Sequence, residues 1–418
     1  MGGVRRYQPP RMAAKPALTR KRDLRTGTSY WQSRRMPRVP AARLTRDLKT
    51  DVLVIGAGIS GALVAEALSR DHRVVVVDRR GAVKGSTPAS TALVEYEIDV
   101  PLTMLARKIG KVDAARAWRR SHLAIHSLFA RTRALDIHCD IARRGTLYLA
   151  GDVLDAEGLQ RERDARLAAG LETAFLNRGA LAERFGIKRA DALITSGDFV
   201  TDPRRMTAGY LNAAVANGAK IYAPVEVTDI ETTRSGVTAA TKAGPTITAK
   251  HVVFATGYEV AKIVPPCGHQ IISTYAIATK PQPDKLWPEE PLIWEASDPY
   301  LYMRTTADGR IICGGEDEEF SDDEKRDALI PKKAATIARK LQRLFPQIDP
   351  TPQYAWAGAF GTTETGLPHI GPIPRRKNCW AVLGFGGNGI TYSRIAADII
   401  SGALAGREDP DADLYAFR

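Results

Sequence analysis

The run from Asp51 to Ile55 (DVLVI) and the glycines that follow it, Gly56, Gly58 and Gly61, constrain this chain more than any other feature. The run is short, apolar and β-branched, as expected of a parallel strand buried on both faces. Gly56, Gly58 and Gly61 stand in G-x-G-x-x-G spacing, and Ile59, Leu63, Ala67 and Leu68 then recur near helical spacing. A second apolar run, RVVVVD, ends at Asp78. Strand, tight turn, helix and strand, with an acid about twenty residues on, is the arrangement that binds a dinucleotide. Gly56 permits the sharp turn, Gly58 lets the backbone approach a pyrophosphate, and Gly61 lets the helix pack on the strand. The helix N-terminus, with Ile59 and Ser60, offers N–H groups and partial positive charge to phosphates. Asp78 is placed to accept hydrogen bonds from ribose hydroxyls and disfavours a 2′-phosphate, although Arg79 and Arg80 adjoin it. FAD and NAD both fit.

A second glycine turn, GFGGNGITYS from Gly384 to Ser393, lies about three hundred residues away near the C-terminus. Between the turns the pattern is mixed. Residues 103–135 read as helical, Arg144 to Ala150 as a strand, and 155–186 as helices. A helix is expected from about Pro203 to Gly218. The runs IYAPVEVTDIE, GVTAATKA, PTITA and HVVFATG read as a meander ending in a buried parallel strand. Residues 270–320 hold further strands, and a helix follows over 330–344.

At 418 residues the chain is long enough for two domains, and its 44% hydrophobic and 26% charged content is ordinary for a soluble protein. No apolar run approaches the roughly 20 residues that span a bilayer. The net charge of +13 is concentrated at the start: residues 1–50 hold 14 Lys+Arg and two acids, Asp23 and Asp47, a net +12 that leaves about +1 for the rest. Residues 1–44 therefore read as a basic leader, disordered to about Thr28, and the near-neutral body makes a nucleic-acid partner unlikely. Cys139, Cys267, Cys313 and Cys379 are scattered singly, which suggests a reducing, cytoplasmic setting; the Arg-rich start also matches a mitochondrial transit peptide. Neither the cysteines nor the seven histidines show metal-ligand spacing, so no metal is expected.

From about Thr45 to its end the chain resembles the FAD-dependent amine and amino-acid oxidoreductases of the D-amino-acid-oxidase type, near glycine oxidase, sarcosine oxidase and gamma-glutamylputrescine oxidase. The resemblance rests on Gly56 to Gly61 with Asp78, the Gly85-Ser86 loop, FATG at Phe254 to Gly257, W-x-G at Trp356 to Gly358, GLPHIG at Gly366 to Gly371, and GFGGNGIT at Gly384 to Thr391. It implies an α/β, Rossmann-like FAD-binding domain assembled from 45–100, 199–262 and 355–418, and a β-rich α+β substrate domain from 101–198 and 263–354. It also extends the cofactor set to Arg79, Ser86, Val227, Ala255, Thr256 and Gly257. At the second turn, Gly386, Gly387, Asn388, Gly389, Ile390 and Thr391 would open a helix beside the isoalloxazine and stabilise negative charge on its N1–C2=O region. The Ala359 to Thr365 stretch has no cysteine, so FAD is expected to be noncovalent.

The reaction implied is hydride transfer from the carbon of an amine or amino acid to flavin N5, with oxygen or another acceptor taking the electrons. The cofactor carries the hard step, and the protein orients the C–H bond. Arg304 matches the position of an arginine for a substrate carboxylate. Tyr302, two residues earlier, falls on the same face of a regular strand, and Tyr275 borders the expected pocket. Phe360 stands where glycine-oxidase relatives offer a second arginine. His269 is a weaker candidate base. Glu316 to Glu319 read as a solvated acidic turn, with attraction of a polyamine as the alternative. Two other readings remain: an NAD-linked dehydrogenase, and a flavoprotein domain acting on RNA.

Overall fold

The computed structural model describes residues 17–189 and 191–417. Two sheets organise them. In the first, the parallel strands Cys379–Leu383, Thr246–Phe254, Leu48–Ile55, Val74–Val77 and Lys220–Tyr222 lie side by side in that order. Their near-continuous valine, leucine and isoleucine content suits burial on both faces: Val52, Leu53, Val54, Val76 and Val77 are fully buried. Strands Val227–Thr232 and Val237–Thr241 extend it as the predicted meander.

Five helices matter for the site: α1 (Ile59–Leu68), α2 (Lys111–Ala134), α3 (Pro203–Ala216), α4 (Ile330–Leu344) and α5 (Gly389–Leu404). Helix α3 begins where Asp202 accepts hydrogen bonds from the N–H groups of Arg204 (3.0 Å) and Arg205 (3.1 Å). The expected helix over 103–135 is two helices, Leu102–Ile109 and α2, broken at Gly110, whose φ of +90° lies where only glycine is at ease. The region read as helical over 155–186 carries a short strand, Ala174–Leu176, between two helices. Helices α1 and α5 pack together, and the hydroxyls of Ser60 and Ser393 meet at 2.8 Å across their seam.

The second sheet has ten strands and is largely antiparallel; Gln270–Thr279, Leu301–Thr305, Ile311–Glu318 and Pro352–Thr362 form its centre. Helix α4 covers one face through Ile337 and Leu341. Pro352–Thr362 pairs along the length of Gln270–Thr279. The boundary expected at 355 therefore falls inside a strand of the second sheet, and the return to the first sheet begins with His369–Pro372.

The leader differs most from expectation. Residues 1–16 lie outside the described region, but 17–44 are packed into the fold. Arg25–Gly27 pairs antiparallel with Trp356–Gly358, and Thr19 bridges to Ala261. Leu18, Leu24, Tyr30 and Trp31 are buried. The Trp31 indole donates to the Ser90 carbonyl at 2.7 Å, and Arg34 pairs with Asp140 and Asp202. Basic composition concealed a segment whose apolar residues find partners only in tertiary structure. No described helix is long and apolar enough to cross a membrane.

Candidate functional site

Ile55, Phe254 and Leu383 end three adjacent parallel strands, so the chain that follows each opens on the same edge of the sheet. This edge is where open parallel sheets bind ligands. One cleft runs along it, from the first glycine turn to the face of the second sheet.

At the first turn, Gly56 has φ +119°, and a Cβ there would lie 2.8 Å from the Ala255 carbonyl carbon. A Cβ on Gly61 would lie 2.9 Å from the Gly56 carbonyl carbon, with the carbonyl oxygen closer still, so Gly61 serves helix packing and does not line the cleft. Gly58, Ile59 and Ser60 do line it. Asp78 also faces the cleft. Its carboxylate accepts the N–H groups of Ala57 (2.9 Å), Arg80 (2.7 Å) and Gly81 (2.8 Å), which fixes it under the turn. Arg79 and Arg80 both pair with Glu259, whose carboxyl is held below its ordinary range by Arg80 and Arg79 against the opposing effect of burial. Val227 completes this end.

The leader closes over the same end: Leu18, Thr19 and Leu24 line the cleft, and the Arg22 N–H donates to Glu259 at 2.7 Å. Deleting residues 1–22 should leave the fold intact, because Arg25–Gly27 and Trp31 remain. It should weaken cofactor affinity about tenfold or more, the equivalent of one or two lost contacts, mainly through faster release. Stopped-flow flavin fluorescence reads this directly, and an unchanged release rate would show that the strap does not hold the ligand.

In the middle of the cleft, Ser86, Ala255, Thr256 and Gly257 line the wall. At the second turn Gly386, Gly387, Asn388, Gly389 and Ile390 face it. The Gly387 N–H, expected to meet a flavin carbonyl, donates instead to Asp99 at 2.6 Å. Asn388 is 7% exposed; its side-chain N–H groups hold the carbonyls of Glu95 (3.2 Å) and Glu97 (2.8 Å), and its Oδ1 is buried without a partner. Thr391 lies outside the cleft and anchors the Glu95 carbonyl at 2.9 Å.

At the far end the walls are Thr274, Trp294, Tyr300, Tyr302 and Phe360. The Tyr302 hydroxyl is 3.4 Å from that of Thr274, and burial raises its pKa, so the phenol stays neutral. Arg304 is not in the cleft. It is buried beneath Trp31 (5.4 Å to the ring centroid) and donates at 2.9 Å to the carbonyls of Ala92, Thr201 and Thr305. Burial lowers its pKa to about 9, so it remains a cation at neutral pH, neutralised by backbone dipoles. Tyr275 faces the opposite side of the sheet, against the α4 layer. His269 lies beside Cys267, away from the cleft. Glu316, far from being a solvated turn residue, is buried and pairs with Lys333 and Lys340.

Sequence reasoning missed three carboxylates that line the cleft: Glu95, Glu97 and Asp99. The signal was present in V-E-Y-E-I-D, where acids alternate with Val94, Tyr96 and Ile98, all buried. Period-two alternation puts the acids on one side of an extended segment. Glu97 is satisfied by Arg166, by the Trp294 indole N–H (2.7 Å) and by Thr195 (3.3 Å). Asp99 opens onto the cleft, yet protein surrounds it on the other sides, and burial raises its pKa.

Comparison with known proteins decides what such a cleft belongs to. The profile described as FAD dependent oxidoreductase matches residues 51–403. The chain belongs to this family of FAD-dependent oxidoreductases. Within the family it is similar to glycine oxidase of Geobacillus kaustophilus (strain HTA426), 25% identical over 379 residues that cover 88% of this chain and 96% of the relative. It is also similar to gamma-glutamylputrescine oxidoreductase of Escherichia coli (strain K12), 24% identical over 377 residues, 85% of this chain and 84% of the relative. Among solved structures, glycine oxidase from Geobacillus kaustophilus superposes with a TM-score of 0.73 at 20% identity, covering 89% of this chain and 99% of that one. L-proline dehydrogenase from P. horikoshii gives 0.73 at 19%, covering 88% and 97%. The FAD-dependent oxidoreductase fold thus joins an α/β cofactor domain to a β-rich second domain. The residues present suit FAD: two glycine-rich turns border one cleft, and the buried, partnerless Asn388 Oδ1 offers an acceptor at the second.

Proposed function

We propose that this protein oxidises the C–N bond of an amine or amino acid, and that the cleft between its two glycine turns holds FAD noncovalently. The observation that carries this reading is the continuity of the cleft from Gly58 to Tyr302. Gly56, Gly58, Ile59 and Ser60 would take the pyrophosphate, with Asp78 at the ribose. Ser86, Val227, Ala255, Thr256 and Gly257 would line the path. Gly386 to Ile390 would sit beside the isoalloxazine, with Gly61 and Thr391 supporting the two turns from behind.

When bound, FAD supplies the hydride acceptor: the hydride leaves the carbon that bears the neutral amine, and water hydrolyses the resulting imine. The protein's part is orientation and exclusion of water. Tyr300, Tyr302, Trp294 and Phe360 form walls against which a substrate carbon can be held in near-attack geometry. The names of the two similar oxidoreductases, which specify glycine and gamma-glutamylputrescine, favour a C–N substrate. Among the described residues that line the cleft there is no cysteine or histidine to attach a flavin, which supports a noncovalent cofactor. Acid precipitation should therefore release all flavin into the supernatant; flavin retained in the pellet would refute this part. An amine and amino-acid panel, read by peroxide formation and dye reduction in parallel, tests the reaction. If no member of the panel bleaches the flavin anaerobically, the reading fails.

A further inference from the structure

We propose that the substrate end of the cleft is a cation site, with Glu95 as its acidic anchor, and that the preferred substrate is an amine carrying a second positive charge and no carboxylate. This inference rests on the reading above and sharpens it to a substrate class. It starts from the distribution of charge along the cleft. The only arginines or lysines among the described lining residues are Arg79 and Arg80, and both are held by Glu259 at the opposite end. Arg304 faces backbone carbonyls elsewhere. A substrate carboxylate at the far end would meet Glu95 and Asp99, and no arginine or lysine lines the cleft there to pair with it, an arrangement that burial makes costly.

The unsatisfied groups point the same way. Glu95 Oε1 and Asn388 Oδ1 are buried, lack partners and are acceptors. They call for a donor or a positive charge. Oxidised isoalloxazine has one ring N–H, so it can satisfy at most one of them. Glu95 is fixed from behind: its carbonyl is held by Asn388 and Thr391, so its side chain is presented by a braced backbone. Burial raises its pKa, reinforced by Asp198, Glu97 and Asp99, while Arg166 opposes this. A positive ligand would relieve that repulsion and draw Glu95 towards its carboxylate form. The aromatic walls add a second source of attraction, since the faces of Trp and Tyr favour ammonium groups; Tyr300 and Tyr302 lie 5.5 Å apart, centroid to centroid.

The test compares 1,4-diaminobutane and N-methylated diamines with glycine, sarcosine and simple monoamines on the holoprotein. Calorimetry with a quaternary bis-ammonium compound, which cannot be oxidised, gives a readout independent of turnover. Diamines should show kcat/KM at least about 30-fold above any amino acid, and Glu95→Gln should remove most of that advantage through KM, as loss of a charge partner requires. The bis-ammonium compound should bind the wild type and bind Glu95→Gln at least about tenfold more weakly. If amino acids reduce the flavin and diamines do not, the cation site is wrong while amine oxidation stands; if neither class reduces it, the underlying function is wrong. Should Glu95→Gln fail to fold, the substrate ranking and calorimetry on the wild type still decide the matter.

Discussion

Gly61→Ala is expected to give a protein that purifies with less than about a tenth of the wild-type flavin and loses about 2–3 kcal/mol of stability, the cost of forcing extra volume into closed packing. The cause is local. The position a Cβ would take is already filled by the Gly56 carbonyl, and Gly56 is in turn pressed against Ala255 on the neighbouring strand. Helix α1 has to shift outward, and it cannot do so without disturbing α5, to which Ser60 and Ser393 join it. One methyl group thus affects both turns. Gly58→Ala is the control. Its Cβ would meet only the Thr87 hydroxyl at 3.3 Å, so the fold should survive and only cofactor affinity should fall. Flavin absorbance per mole of protein, with a thermal melt, checks both. Wild-type flavin content in Gly61→Ala would mean that the turn has slack its geometry denies.

Arg166→Met should be the most destabilising change outside the cofactor turns. Arg166 is completely buried and pairs with Glu97 and, at 3.0 Å, with Glu162. Its guanidinium also lies 4.6 Å from the Trp118 ring centroid. Glu162 accepts the N–H groups of Leu102 (2.8 Å) and Thr103 (2.9 Å) and so caps the Leu102–Ile109 helix. Glu97 holds the Trp294 indole on the wall of the cleft. Removing the cation leaves two carboxylates buried without their charge partner, which costs about 3–5 kcal/mol. Urea denaturation should show this as a lower midpoint, and Arg166→Lys should recover part of it by keeping the charge without the planar fork. A loss below about 1 kcal/mol would mean that water reaches these carboxylates. Because Trp294 and Glu97 line the cleft, the same substitution should loosen the substrate end in molecules that remain folded.

The first glycine turn was legible in the sequence because its constraints are local. A β-branched run, three glycines in fixed spacing and a terminal Asp78 each answer to backbone geometry within some thirty residues. The second turn was legible for the same reason, and its place beside the first follows from strand order. The far end of the cleft depended on tertiary contacts. Arg304 and Tyr302 do share a strand face by period, but two residues carry the chain about 7 Å, far enough for one to reach the cleft and the other to pass under Trp31. Trp31 itself lay in a segment whose composition reads as solvated, and nothing near it in sequence announces its partners, Ser90 and Arg304. Glu95 and Asp99 follow the Gly85-Ser86 loop in a stretch that carries no glycine signature; their alternation with buried apolar neighbours was the usable sign.

Competitive binding of FAD and FMN to the apoprotein tests the central claim most directly, because only an extended dinucleotide can engage the Gly58 turn and the Gly387 turn at once. FAD should bind one per chain and at least about 100-fold more tightly than FMN, since the adenosine half brings the pyrophosphate and ribose contacts at Gly58 and Asp78. Equal affinity for the two flavins, or no binding of FAD at saturating concentration, would contradict the account.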